Sequence, residues 1–301
     1  MSLAVVTCHF NFAGYDMPVR NLHRFIRQMD RDGISVYGIE LHLAGTKPEI
    51  RNRPNWITYE VTDDNIIWQK EALMNAAEKI VPDSFKNVAF LDADIFFASP
   101  HWISDAHKAL ERFPVVQMFA EAIWTDRRGR PELVRPSVGR AGLDLDNWTT
   151  HPGFGWAFNR EIFREFGGWY DVAPLGSGDT LLSFALTKGE TPHHWIEKCY
   201  SYLGPLNHDH FDRWRERVRY AMEPHLVSFV PGKVYHEWHG DRKNRNYANR
   251  HLYIGGLDVN RHLKFTEEGY LQWSEEAPEE LKANMKRYFL DRDEDGLTDS
   301  K

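Results

Sequence analysis

The chain has 301 residues, a formal net charge of −7, 42% hydrophobic residues and 14% aromatic residues, enough for one large domain or two small ones around a sizeable core. The acid excess argues against a general polyanion binder and leaves room only for a local basic face. Two cysteines, Cys8 and Cys199, exclude a disulfide framework, and with no basic-apolar leader and no run near the ~20 apolar residues of a membrane span the expectation is a soluble, cytoplasmic protein.

Residues 3–8 are an apolar, strand-like run that ends in the polar turn His9-Phe10-Asn11-Phe12-Ala13-Gly14. Pro18 opens a helical pattern with Leu22, Phe25, Ile26 and Met29 on one face and Asp32-Gly33 as its stop. Residues 34–43 and 56–61 read as the second and third strands, which makes a βαβ unit of a parallel sheet. Ligands of such sheets sit beyond the carboxyl ends of the strands, so His9 and Asn11 belong to a candidate binding edge. A helix is predicted over about residues 64–80. Its Lys70 either reaches a phosphate or an acid at that edge, or is an ordinary solvated lysine.

Residues 88–97, Val-Ala-Phe-Leu-Asp-Ala-Asp-Ile-Phe-Phe, carry the densest information. The apolar run reads as a strand buried on both faces, and alternation along it points Asp92 and Asp94 the same way. Two carboxylates among apolar neighbours need a counter-charge. Mg²⁺ or Mn²⁺ is the simplest one; the other reading has both acids capping the next helix. A helix over 104–113 and a strand over 114–119 follow. Residues 125–140, with Arg127, Arg128, Arg130, Arg135 and Arg140, read as a long basic loop.

Gly153 and Gly155 bracket Phe154 just before Trp156, which lets backbone approach a ligand. Asp179 follows Gly176-Ser177-Gly178 and precedes a helix over 180–186. It is either an N-cap or a carboxylate offered to a sugar hydroxyl. His193, His194, His208 and His210 have no metal-ligand spacing, and Arg213, Arg215, Arg217 and Arg219 read as a solvated helix face. A strand over 227–235 leads into His236-Glu237-Trp238-His239 and a basic stretch over 242–250; two histidines three apart at a strand end are candidate metal ligands. A helical segment runs on to 261. The tail from Ser274 is acidic and helical with a frayed end, and Asp293-Glu294-Asp295-Gly296 lacks the full calcium-loop pattern.

This ordered set resembles the GT-A family of nucleotide-sugar-dependent glycosyltransferases over about residues 4–250, and the Gly153-Phe154-Gly155-Trp156 stretch is similar to that of β-1,4-galactosyltransferase-like enzymes. The resemblance implies an α/β, Rossmann-like, mostly parallel central sheet flanked by helices. It implies a nucleotide-sugar-binding half at 1–100, an acceptor and catalytic half of the same domain at 101–273, and an acidic helical tail at 274–301. Asp92 and Asp94 match the Asp-x-Asp motif as ribose and metal-diphosphate contacts, with His239 rather than His236 as the further ligand of Mn²⁺ or Mg²⁺. Thr7, His9 and Asn11 stand where the family holds the nucleoside; Lys70, Gly153 and Trp156 are further donor contacts. Asp179 stands alone where relatives carry an acidic cluster that supplies the general base.

The implied reaction moves a sugar from a nucleotide-sugar, a UDP-sugar, to a hydroxyl acceptor such as a glycan, with inversion by direct displacement. Three alternatives stand beside it. One is a glycosyltransferase acting on hydroxylated DNA bases through the basic stretches 127–140 and 242–250. Another is a sugar-nucleotide nucleotidyltransferase, which needs a Gly-rich basic loop that residues 9–15 do not supply. The last is a non-enzymatic carbohydrate-binding protein, which has no use for the Asp pair.

Overall fold

Strand alternation decides how the chain is layered. In the computed structural model, residues 2–143, 149–173, 175–188, 193–246 and 249–297 are described. In chain order they form β1 (Leu3–Phe10), α1 (Asp16–Arg31), β2 (Val36–Leu43), β3 (Trp56–Val61), α2 (Lys70–Lys79), β4 (Asn87–Leu91), β5 (Ile95–Phe97), α3 (Trp102–Leu110), β6 (Val115–Gln117), β7 (Glu121–Thr125) and β8 (Pro131–Pro136). There follow β9 (Gly155–Asn159), α4 (Arg160–Glu165), α5 (Gly178–Leu186), α6 (His193–Leu203), α7 (His208–Met222), β10 (Val227–Phe229), β11 (Lys233–His236), α8 (Val259–His262), β12 (Leu263–Phe265), β13 (Leu271–Trp273) and α9 (Glu279–Asp291).

Among the described residues the main sheet has seven strands in the order β10-β6-β9-β4-β1-β2-β3. It is parallel except for β9, which runs antiparallel between β4 and β6. Along β4, Val88 and Phe90 enter one core cluster while Ala89 and Leu91 enter the other, as a period of two requires. Leu22, Phe25, Ile26 and Met29 of α1 and Trp102, Ala106 and Leu110 of α3 cover the second face. Apolar residues of α2, α4, α5, α6, α7 and α9 cover the first. The fold class expected from the sequence is the one observed: a single mixed α/β domain with a mostly parallel central sheet between helices. No helix among the described residues is long and apolar enough to cross a membrane.

Strand order reverses at β1: β2 and β3 lie to one side and β4 to the other. A crevice at the carboxyl ends of β1 and β4 is the expected ligand site of such a sheet. A second sheet, β5-β11-β7-β8, stands next to that crevice, because β5 follows Asp94 directly and pairs with β11.

The strands expected over 88–97 and 227–235 are each split between the two sheets, as β4 with β5 and β10 with β11. The helical segment expected up to 261 is a 3-10 turn followed by α8, and two further elements differ from expectation. The helix predicted over 64–80 begins only at Lys70; residues 63–65 form a 3-10 turn, and Ile66 and Ile67 are buried outside a helix. At the N-cap position Gln69 has non-helical backbone, and its side chain exchanges hydrogen bonds with the backbone of Leu271. The basic stretch 125–140 is largely a hairpin of β7 and β8. Asp126 closes its turn by accepting from the backbone N–H groups of Arg128 and Arg130 at 2.8 Å each, and Gly129 supplies the positive φ. The strand signal was hidden because β8 is a mostly exposed edge strand with proline at both ends.

Candidate active site

A cavity of about 480 Å³ opens at the β1–β4 crevice. Its walls come from the turn after β1, the start of α2, residues 92–94, the turn before β9, the start of α5, the end of β11 and the segment after it.

After Leu91 the Asp92 N–H still donates to Phe154 O at 3.0 Å, continuing the β4–β9 register, and β4 ends in the turn at residues 93–94 that follows. Both acids line the same cavity, but their nearest partners differ. Asp92 Oδ1 accepts from Lys70 Nζ at 3.1 Å. Asp94 Oδ2 lies 2.9 Å from His239 Nε2 and 3.5 Å from His236 Nε2, and its Oδ1 is buried without a hydrogen-bond partner. The two Nε2 atoms are 3.3 Å apart. Pairing of His236 with Ile95, and donation from the Glu237 N–H to Asp94 O at 2.8 Å, bring these distant segments together.

Asp94, His236 and His239 offer three ligand atoms within 4.8 Å of one another. Burial opposes ionisation of Asp94, but the facing imidazoles, His236 first, outweigh it and hold the carboxyl well below its usual range. Burial pulls His236 down to about 4 against the pull of Asp94. An ionised carboxylate, a neutral imidazole and an orphaned carboxylate oxygen are what a divalent cation needs of its ligands. His236 is thus placed beside His239, where the sequence favoured His239 alone, and Asp92 faces Lys70 instead of this cluster. His239 Nδ1 lies 3.0 Å from Glu294 Oε1, which also accepts from Arg292. A carboxylate on the far nitrogen orients a ligand imidazole and fixes its tautomer. Arg245 Nη2 stands 2.7 Å from His239 Nε2, so a bound cation would displace that guanidinium.

Lys70 is not the solvated lysine of the alternative reading. It is largely buried, with Nζ 2.9 Å from Asp179 Oδ2, 3.1 Å from Asp92 Oδ1 and 3.8 Å from Glu71 Oε1. Burial disfavours its charge, but Asp179, Asp92 and Glu71 more than compensate and hold its pKa well above the ordinary value. Burial raises Asp92 to about 6, with Lys70 opposing. Asp179 lies in the first turn of α5, while Ser177 with φ 73° takes the N-cap position. The capping alternative for Asp179 therefore fails. Gly153 borders this group: a Cβ there would come within 3.0 Å of His151 Nε2 and 3.3 Å of Asp179 Oδ2.

Three expected donor contacts are placed otherwise. Thr7 is buried inside the sheet, where its hydroxyl donates to Leu91 O at 2.8 Å and ties β1 to β4. Trp156 is fully buried and donates from Nε1 to Pro152 O at 2.7 Å, a core role. Asn11 lines the cavity, but its amide exchanges hydrogen bonds with the backbone of Tyr15 and closes the turn. His9 lines the cavity with a buried Nε2 that has no partner, and burial lowers it to about 4. Phe10 and Trp68 meet edge to face at 5.1 Å beside it, an aromatic wall of the kind that receives a planar base. Sequence reasoning missed Arg245, Arg292 and Glu294 as site residues. The only signal was their position: a basic segment just after His239, and acids in a tail that returns to the sheet.

No family model and no curated protein matches the chain. Among solved structures it is similar to the catalytic domain of Drosophila β1,4-galactosyltransferase 7 in complex with xylobiose, at 10% identity over 91% of this chain and 95% of that one, with a TM-score of 0.38. It is similar to mannosyl-3-phosphoglycerate synthase from Rubrobacter xylanophilus at 9% identity over 91% and 85%, with a TM-score of 0.41. It is also similar to glucosyl-3-phosphoglycerate synthase from Mycobacterium tuberculosis in complex with Mn²⁺, UDP and phosphoglyceric acid, at 14% identity over 78% and 70%, with a TM-score of 0.37. All three likenesses lie below a TM-score of 0.5.

Proposed function

We propose that the chain is a metal-dependent glycosyltransferase that moves a sugar from a nucleotide-sugar, a UDP-sugar, to a hydroxyl acceptor with inversion. The observation that carries this reading is the Asp94–His236–His239 cluster at the strand-order reversal, next to the Lys70 bridge between Asp92 and Asp179. Mn²⁺ or Mg²⁺ held by the cluster would neutralise charge developing on a departing nucleoside diphosphate. The Phe10–Trp68 wall and His9 receive the nucleoside. Asp92 faces the ribose and sugar side, and Lys70 adds positive charge close to the reacting bond. Asp179 takes the proton of the acceptor hydroxyl.

Consumption of UDP-sugars should require Mn²⁺ or Mg²⁺, and Asp94→Asn should lower turnover by about 10²-fold or more, because a metal's charge stabilisation is worth several kcal/mol. Mn²⁺ with UDP should raise the melting temperature of the native chain and not that of Asp94→Asn. Asp179→Asn should keep this thermal shift and lose about 10²–10⁴-fold in turnover. Metal-independent turnover, or near-native turnover of either variant, contradicts the assignment.

A further inference from the structure

The cavity has a cationic wall that the proposed chemistry leaves unused. Arg135 on β8 and Arg242 in the 3-10 turn Arg242–Arg245 both line it, and their guanidinium carbons lie 5.9 and 5.7 Å from the centroid of the same Trp124 ring. Neither has a carboxylate within ion-pair distance among the described residues. Among the described residues, Asp241 pairs with Lys243, Asp126 with Arg130, and Glu121 with Arg140 and Lys233, while Glu132 shares a neighbouring pocket with Arg242 without reaching ion-pair distance. The acids inside the cavity are also engaged, Asp92 and Asp179 by Lys70, Asp94 by the histidines and Glu294 by Arg292. Burial, then the charge of Arg242, pulls Arg135 below its usual value. Lys198 of α6 lines the same wall, and burial lowers it to about 8 with Arg135 adding to the pull. The like charges of Arg135 and Arg242 repel one another, and an anion between them would relieve that repulsion.

Position separates Arg135 from the donor, while Arg242, three residues after His239, lines a neighbouring pocket with His236 and His239 and stands between the two. Across the second sheet, Asp94 precedes β5, His236 ends β11, Trp124 lies on β7 and Arg135 on β8. Arg135 is therefore two strand spacings, about 10 Å, beyond the His236 strand, whereas His9 and the aromatic wall lie across β4 on the opposite side. We propose that Arg135 and Arg242 form the anion subsite of the acceptor, and that the acceptor is a hydroxyl compound carrying a phosphate group. Two forks from separate elements suit the three oxygens and double charge of a phosphate better than a single planar carboxylate. This rests on the glycosyltransferase reading.

Calorimetry on the full chain saturated with UDP and Mn²⁺ tests it, with glycerol 3-phosphate, a short single-stranded oligodeoxynucleotide and uncharged glycerol as probes. Glycerol 3-phosphate should bind and glycerol should not; binding of the oligonucleotide alone, whose phosphodiesters carry one charge and two free oxygens each, overturns the phosphomonoester assignment. Arg135→Gln and the exposed Arg242→Gln should each weaken glycerol 3-phosphate binding by about 10-fold or more. Equal affinity in both variants, or binding of neither phosphate probe, overturns the subsite while the UDP–Mn²⁺ titration still supports the donor site. Failure of UDP and Mn²⁺ to bind overturns both.

Discussion

Glu71 shows how the site constrains single residues. Its side chain is buried against Gly178, where any Cβ would stand 2.2 Å from Glu71 Oε1, and that oxygen has no hydrogen-bond partner. Burial raises its pKa from 4.5 to about 7, with Lys70 opposing. The folded chain thus keeps a proton between about pH 4.5 and 7 that the unfolded chain has already lost, so stability falls as pH rises through that window and the penalty is complete above it. Glu71→Gln should flatten the melting temperature across the window and raise it at pH 8 relative to the native chain. Thermal melts at pH 5 and pH 8 decide this, and parallel profiles for the two proteins would refute it. At this scale residue type was legible and partners were not. The need of Asp92 and Asp94 for positive charge could be read from their apolar flanks. Their different partners, Lys70 for Asp92 and His236 with His239 for Asp94, come from distant segments that local spacing does not encode. Thr7 and Trp156 were misplaced for the same reason, since only the sheet pairing decides which strand residues end inside the core.

At the scale of elements, the tail has the least expected role. The N-terminus of α1 has no side-chain cap of its own, yet Asp295 accepts from the N–H groups of Asp16 at 3.0 Å and Met17 at 2.8 Å. Tyr15 donates its hydroxyl to Leu290 O at 2.7 Å on the same contact. Asp295→Ala should cost about 1 kcal/mol, as other lost caps do, and lower the melting temperature without changing Mn²⁺ affinity. Glu294→Gln should do the reverse: it loosens the orientation of His239 and should weaken Mn²⁺ binding about 10–100-fold, read by paramagnetic titration of Mn²⁺ with no substrate present. If both variants behaved alike, the tail would be a single structural plug without a separate tie to the histidine. The helical pattern of α9 was legible from its own sequence. The use of the Asp293-Glu294-Asp295-Gly296 acids was not, because their partners lie near residues 16 and 239. The same limit hid β8, whose pairing with β7 is the only thing that distinguishes it from a solvated basic loop. The part of the basic stretch at 247–248 and the tail end at 298–301 lie outside the described residues.

At the scale of the whole molecule, the parallel sheet and its binding edge were legible because buried parallel strands are continuous apolar runs. The insertion of antiparallel β9 between β4 and β6 was not, since an apolar strand carries no mark of its direction. That insertion governs how the proposed halves at 1–100 and 101–273 relate. Phe90 of β4 packs on Phe158, Phe163 and Trp169 at centroid distances of 5.7, 4.6 and 5.6 Å, all from the second half. Phe289 of the tail packs on Phe10, Phe12 and Trp68 of the first at 6.0, 5.3 and 5.7 Å. The two proposed halves and the tail therefore share one core cluster, and neither half can bury its apolar surface alone. Heat should unfold the chain in one calorimetric transition with matching calorimetric and van't Hoff enthalpies, and a fragment of residues 1–100 should show no cooperative melt. Phe289→Ala, a loss of about 3–5 kcal/mol for a buried aromatic, should move the whole transition downward rather than split it. A second resolved transition in either protein, or a cooperatively melting 1–100 fragment, would show that the donor half folds as an independent unit and that the shared core is not what holds the two together.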